Sequence, residues 1–269
     1  MKQLFLALLL LHSAGSTAQE LYVYTEPASN MAARSIGFRL NNYFMRTAGT
    51  QQYSYMSAPE IMLGISKTIM IHGETFFSNR NDGFKLDGGT VYVKYRFYSE
   101  DEVHSHFRMA AYTRGSLNAT PVHQPAIDMQ GMNSGVETGL VATKLQNRLA
   151  LSAGLSHLYA ANNMKDNKFH YEKKDRHAVG YTLSAGRLML PAEYTSYDQT
   201  NVNVMLEMLG QTNFGNGKTF LDLAPSVQFI IKSRMRVDLG YRLALVKDLQ
   251  RTSEDAVLLR LEYNIFNAF

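Results

Sequence analysis

The chain of 269 residues contains no cysteine. It can form no disulfide, offers no thiolate to a metal or substrate, and has no cysteine for an N-terminal lipid anchor. Long apolar runs are nearly as scarce. Residues 4–11 form one, too short to cross a bilayer as a helix. No later stretch approaches the roughly eighteen apolar residues of a membrane helix. A helical 3.6-residue period is missing over any useful length, and so are internal repeats and low-complexity segments. These absences exclude a helical membrane protein, a small disulfide-stapled domain and a thiol enzyme.

The one apolar run has a recognisable setting. Lys2 precedes it, and Ser16, Thr17 and Ala18 follow as a small-x-small site. Residues 1–18 therefore read as a secretory signal peptide, with Gln19 as the first mature residue. An exported chain with no helical anchor is periplasmic, secreted or an outer-membrane barrel. Hydropathy alone does not separate these, because a barrel strand shows only half its residues to lipid.

Alternation is what the sequence has in quantity. Val257, Leu259, Leu261, Tyr263 and Ile265 take every second place, with Arg260, Glu262 and Asn264 between them, and the chain closes on Phe269. That is period 2, the signature of a strand with two different faces. Similar runs recur from Arg34 onward, for example Ile36, Phe38, Leu40, then Val91, Val93, Tyr95, then Met235, Val237, Leu239, Tyr241. Counting them predicts twelve strands. Short connections fall near Ser66, Ser99, Gln146 and Lys232, and longer ones near Asn79, Gly115, Ala161, Asn213 and Lys247. The connection near Pro191 has the weakest signal. Short turns alternating with longer loops are the rhythm of an outer-membrane barrel. A soluble β-sandwich explains the strands but not the rhythm. The expected fold is all-β: a transmembrane antiparallel up-and-down β-barrel of about 12 strands over residues 34–269, after a periplasmic lead-in at 19–33. Tyr43, Phe44, Phe97, Tyr98 and Phe266 lie near strand ends, where aromatic girdles form.

Two segments carry a family resemblance: residues 190–211, with Leu190-Pro191-Ala192-Glu193-Tyr194-Thr195 and Leu206-Glu207-Met208-Leu209-Gly210-Gln211, and residues 222–230, Asp222-Leu223-Ala224-Pro225-Ser226-Val227-Gln228-Phe229-Ile230. They resemble outer-membrane barrels of the Bacteroidetes type, distantly similar to transporter-like barrels linked to phenol meta-pathway degradation. The resemblance implies a barrel with a transport role and brings no catalytic residues. The last strand also resembles the closing strand of bacterial outer-membrane barrels. That implies that Leu261, Tyr263, Ile265 and Phe269 are read by the barrel assembly machinery.

With the apolar parity toward lipid, the other parity turns Arg39, Lys94, Arg96, Arg108, Arg114, Arg236, Arg242 and Arg260 inward. His106 shares that face, with the acids Glu74, Glu137, Glu207, Asp238 and Glu262. Bases outnumber acids, which predicts a mildly basic lumen. A hairpin centred near Asp101 would place Lys94 opposite Arg108 and Arg96 opposite His106. One centred near Arg251 would place Arg242 opposite Arg260. Like charges directly across strands destabilise a sheet unless water or anions screen them, so a wet, anion-attracting track is expected there. The leading expectation is a passive channel for small polar or anionic solutes. The alternatives are a non-transporting structural or interaction barrel and an outer-membrane hydrolase such as a phospholipase. Ser156 and His157 are the hydrolase candidates, but adjacent strand residues face opposite ways. His123, Asp128, His170, Asp175 and His177 show no protease spacing, and His104 with His106 is a weak metal pair. No catalytic, metal or cofactor residue is assigned. The expected partners are outer-membrane lipid, the assembly machinery and small solutes, and not nucleic acid.

Overall fold

The computed structural model describes residues 22–49, 52–81, 83–102, 105–192 and 198–269. The signal-peptide stretch 1–18, His104 and the segment 193–197 lie outside them. Twelve strands follow in order: β1 (Ser35–Thr47), β2 (Tyr53–Gly64), β3 (Ile69–Ser78), β4 (Lys85–Glu102), β5 (Ser105–Asn118), β6 (Gly135–Gln146), β7 (Leu149–Ala160), β8 (His177–Leu190), β9 (Asn201–Asn213), β10 (Thr219–Ile231), β11 (Met235–Lys247) and β12 (Ser253–Ile265). Each pairs antiparallel with the next and β12 pairs with β1, closing the barrel. Every strand is long enough for a tilted crossing, which takes about 9–11 residues.

Alternation decides which way each side chain points. Phe38, Ile61, Val91, Leu140, Leu155, Leu239 and Leu261 are exposed on the outer wall. Their sequence neighbours Arg39, Glu60, Tyr92, Asp238 and Glu262 are buried inside. A closed barrel with an apolar belt and a polar interior satisfies every wall hydrogen bond internally, as hydrocarbon requires. This is the surface of an outer-membrane protein. Aromatic rings gather at both rims. Phe44, Tyr55, Phe84 and Phe77 form a chain of ring contacts at the end that carries the longer loops. Tyr98 and Phe107 meet edge-on at the opposite end. Tyr43 is no girdle residue: its parity turns it inward, against Met45 and Ala58.

The connections at one end are 65–68, 103–104, 147–148, 191–200 and 232–234. Those at the other are 48–52, 79–84, 119–134, 161–176, 214–218 and 248–252. The expected rhythm holds except at 191–200, a long connection at the short-turn end. Residues 119–134 fold across the long-loop mouth. There Ile127 exchanges both backbone hydrogen bonds with the Gln211 amide, Gln124 accepts from Thr252, and Arg80 donates to the Gly131 carbonyl at 3.0 Å.

The structure corrects both expected registers. The β4–β5 hairpin does not turn at 99–103. It runs on to Glu102↔Ser105, so Lys94 faces Tyr112, Arg96 faces Ala110, and Arg108 faces Ser99. A bulge between Arg96 and Tyr98 inserts one residue and shifts the pairing, which also turns Phe97 and Tyr98 both outward. In the last hairpin Arg242 faces Ala256, and Arg260 faces Asp238. None of the three expected like-charge pairs forms: the adopted register sets neutral residues opposite Lys94, Arg96, Arg108 and Arg242, and an acid, Asp238, opposite Arg260. The closing strand ends where its alternation ends. β12 stops at Ile265, Asn267 takes a left-handed φ of 52°, and the Ala268 amide donates to the Arg34 carbonyl at 2.8 Å.

Candidate channel lumen

All eleven proposed lumen residues lie on the inner parity, and their partners are now visible. Arg39 is the hub. Its guanidinium contacts Glu262 at 2.9 Å, Glu60 at 3.1 Å and Glu26 at 3.2 Å. Arg236 contacts Glu262 at 3.1 Å and Asp238 at 3.2 Å. Arg260 donates to Asn41 at 2.6 Å and lies 3.8 Å from Asp238. Such charges persist in a wall only when paired and hydrogen-bonded. Near the short-turn rim, Asp101 receives His106 at 2.8 Å and Arg108 at 2.8 Å. Arg96 is half-buried nearby. The expected basic track is thus answered by acids, several of which the sequence reading left out. Glu60 and Asp222 sit on the inner parity of β2 and β10, so extending the alternation of Ile61 and Leu221 by one residue would have found them.

Glu26 had no such signal, because it belongs to the lead-in. Residues 22–33 run inside the barrel, not beneath it. Glu207 on β9 accepts the backbone N–H groups of Val23 and Tyr24, both at 2.9 Å, and that of Thr25 at 2.8 Å. The Thr25 hydroxyl donates to the same carboxylate. On the opposite side, the fully buried Lys94 ammonium donates to the carbonyls of Pro27 and Ser29 at 2.7 and 2.8 Å. Thr143 on β6 accepts from the Ala28 amide at 2.9 Å. Tyr22 and Val23 pack on Ala150, Met205 and Leu258. The segment leaves the lumen over Gly64, where a Cβ would fall 2.0 Å from the Ala32 carbonyl oxygen.

Two polar cavities remain between this plug and the 119–134 cap. One, of about 140 Å³, is lined by Glu26, Arg39, Glu60, Glu74 and Arg260 among others. The second, of about 230 Å³, is lined by Arg80, Arg242, Arg251, Asp128 and Asp222. They adjoin through shared walls of Tyr24, Tyr112, Arg114, Gln130 and Glu137. The hydrolase candidates do not meet, since Ser156 is buried inside while His157 is exposed outside beside His177. The proposed assembly residues Leu261, Tyr263, Ile265 and Phe269 are all exposed on the outer surface.

No protein-family model matches the chain, and no curated protein matches it. Solved structures do. An outer membrane channel from Pseudomonas putida F1 superposes with a TM-score of 0.60 at 10% identity, over 91% of this chain and 100% of that one. The NanC porin superposes with a TM-score of 0.50 at 9% identity, over 84% and 97%. The fold is therefore that of outer-membrane porin-like barrels.

Proposed function

We propose that the protein passes small polar or anionic solutes across the outer membrane. The observation that carries this reading is the pair of adjoining polar cavities along the barrel axis. They are bounded at each end by segments that are not part of the wall, the lead-in and the 119–134 loop. A barrel meant only as a structural post has no need of a polar interior closed by separable pieces. The neighbours named channel and porin support the same reading. The mild preference for anions now rests on Arg80, Arg114, Arg242 and Arg251 facing the larger cavity, against Asp128, Glu137 and Asp222, and not on like-charged hairpins. The short-turn end faces the periplasm and the long-loop end faces outward, as in other bacterial barrels. The last strand serves the assembly machinery, and the resemblance to Bacteroidetes-type, meta-pathway-like barrels belongs to this same reading.

Planar-bilayer recording tests it. Purified protein should give discrete conductance steps that grow in frequency when the lead-in is loosened. A bilayer that stays silent with both wild type and loosened variants would favour the non-transporting barrel.

A further inference from the structure

The lipid-facing wall is not smooth. One row of outward residues runs level across five neighbouring strands. Met235 faces Tyr263, Tyr263 faces Phe38, Phe38 faces Ile61, and Ile61 faces Gly73. The first four are large and exposed. The fifth has no side chain, and a Cβ placed on Gly73 would meet nothing within 4 Å. Beside Ile61 the next outward residue of β2 is Pro59, which is also short. The row therefore falls away into an apolar groove of about 600 Å³, walled by Phe38, Leu40, Ile61, Leu261 and Tyr263. A hollow in a packed wall forfeits van der Waals contacts until something fills it. In hydrocarbon the filler must be long, thin and apolar.

The groove lies close to the short-turn rim, and that rim is basic. Arg234 immediately precedes Met235, Arg34 lies four residues before Phe38, and Lys67 sits in the turn between β2 and β3. All three are exposed. Four residues of strand span roughly 13 Å, close to half of a hydrocarbon core about 30 Å thick. The Asn264 amide donates to the Arg234 carbonyl at 2.9 Å, and the Arg34 amide to the Gly64 carbonyl at 2.6 Å. These bonds fix both residues at the ends of the strands that wall the groove. Arg234 and Lys67 flank Arg34 at two strands' distance or less, roughly 10 Å. Among the described residues no acid pairs with Lys67 or Arg234, and the Arg34 guanidinium donates to the Phe269 carbonyl oxygen. At the other rim of the same wall the cations are answered. Arg46 meets Asp255 at 2.5 Å and Lys247 meets Glu254 at 2.6 Å.

We propose that this face binds an anionic phospholipid, with one acyl chain in the groove and the phosphate at Arg34, in the field of Lys67 and Arg234. The site needs only the barrel's place in the membrane and not the passage of solutes. The groove selects for a chain and the rim selects for negative charge. A guanidinium with one N–H on Phe269 keeps other donors for a phosphate oxygen. The flanking cations act within about one Debye length. A zwitterionic lipid offsets its phosphate with its own cation and gains less from the rim. A second copy docked about a two-fold axis would bring the same three cations against themselves, which disfavours it as the occupant.

The test places the full chain in phosphatidylcholine vesicles with a trace of photoactivatable lipid. The probe is phosphatidylglycerol or phosphatidylcholine with a diazirine midway along one acyl chain, and labelled residues are read by mass spectrometry. Phosphatidylglycerol should label Phe38, Ile61 and Tyr263 at least about fivefold more than phosphatidylcholine, the scale of one cation near a membrane surface. Phe44, on the same strand near the other rim, should take both probes alike. Lys67→Gln combined with Arg234→Gln should remove the excess. Gly73→Leu fills the groove and should cut labelling of Phe38 and Ile61 by both probes. Equal labelling of the wild-type groove by the two lipids overturns the proposal. So does an excess that survives the charge changes, or labelling that survives Gly73→Leu. Protection of the groove from both probes, with sedimentation as a dimer, would put a second copy there instead. If a variant fails to fold, the wild-type ratio at Phe38 against that at Phe44 still decides.

Discussion

Arg39 concentrates much of the electrostatics of the wall. It touches carboxylates from the lead-in, β2 and β12, and all but a small part of it is buried. Removing one partner of a buried ion pair leaves charge without compensation and costs about 3–5 kcal/mol. Arg39→Ala should lower the unfolding free energy obtained from urea titration in detergent by an amount in that range. Glu262→Gln should cost less, since Arg39 keeps Glu60 and Glu26. Equal stability of Arg39→Ala and wild type would show that water already screens the cluster. On the outer wall the governing term is different. Leu239 and Leu259 face each other across β11 and β12, and Leu239 is half exposed. Leu239→Arg places a charge against hydrocarbon and should cost about 2–4 kcal/mol near the midplane, measured as reversible unfolding in lipid vesicles.

The lead-in is the element that fills the lumen of the proposed channel. Its hold on the lumen is backbone to carboxylate at Glu207 and ammonium to backbone at Lys94. Charge-assisted bonds of this kind contribute roughly 1.5–3 kcal/mol each. Glu207→Ala removes the acceptor for three consecutive N–H groups and should raise both the frequency and size of conductance steps in planar bilayers. Glu207→Gln keeps an amide oxygen as acceptor and should fall between. Identical traces from all three proteins would mean that the lead-in does not gate. For the last element, β12, deletion of Phe269 tests assembly apart from stability. The ring is exposed and lies beyond the end of the strand. The deletion should reduce the folded protein recovered from outer membranes and leave the unfolding midpoint of the purified remainder unchanged. Normal recovery would remove Phe269 from the assembly signal.

At the scale of the whole molecule the closed hydrogen-bond ladder dominates. With every strand paired on both sides, no edge is left from which unfolding can start, and opening must break an entire seam. Unboiled protein should migrate apart from boiled protein in SDS gels, and circular dichroism should show β-structure until heating. A single band at both temperatures would contradict a closed barrel. The interior adds to this integrity. Opposite charges face each other across β11, β12, β1 and β2, so a slip along one seam would break ion pairs around a third of the wall.

Strand number, the inward and outward faces and the closed topology were legible in the sequence, because period 2 is a local property that each segment carries by itself. Arg39, Arg236 and Glu262 could be placed in the lumen by parity alone. Register could not, because it depends on a bulge at Arg96 and on a loop at 248–252 that sits unevenly between its strands. A shift of a few residues there turned the expected Arg242–Arg260 repulsion into an Asp238–Arg260 pairing. The lead-in was illegible for a different reason. Much of its hold comes through main-chain N–H and C=O groups, which every residue has, and its side-chain contacts, such as Glu26 on Arg39 and the Thr25 hydroxyl on Glu207, follow no period that marks them as lumen residues. The tertiary structure decided that the interior is a plugged and divided space, because only the closed barrel brings Glu207 and Lys94 to opposite sides of one short segment.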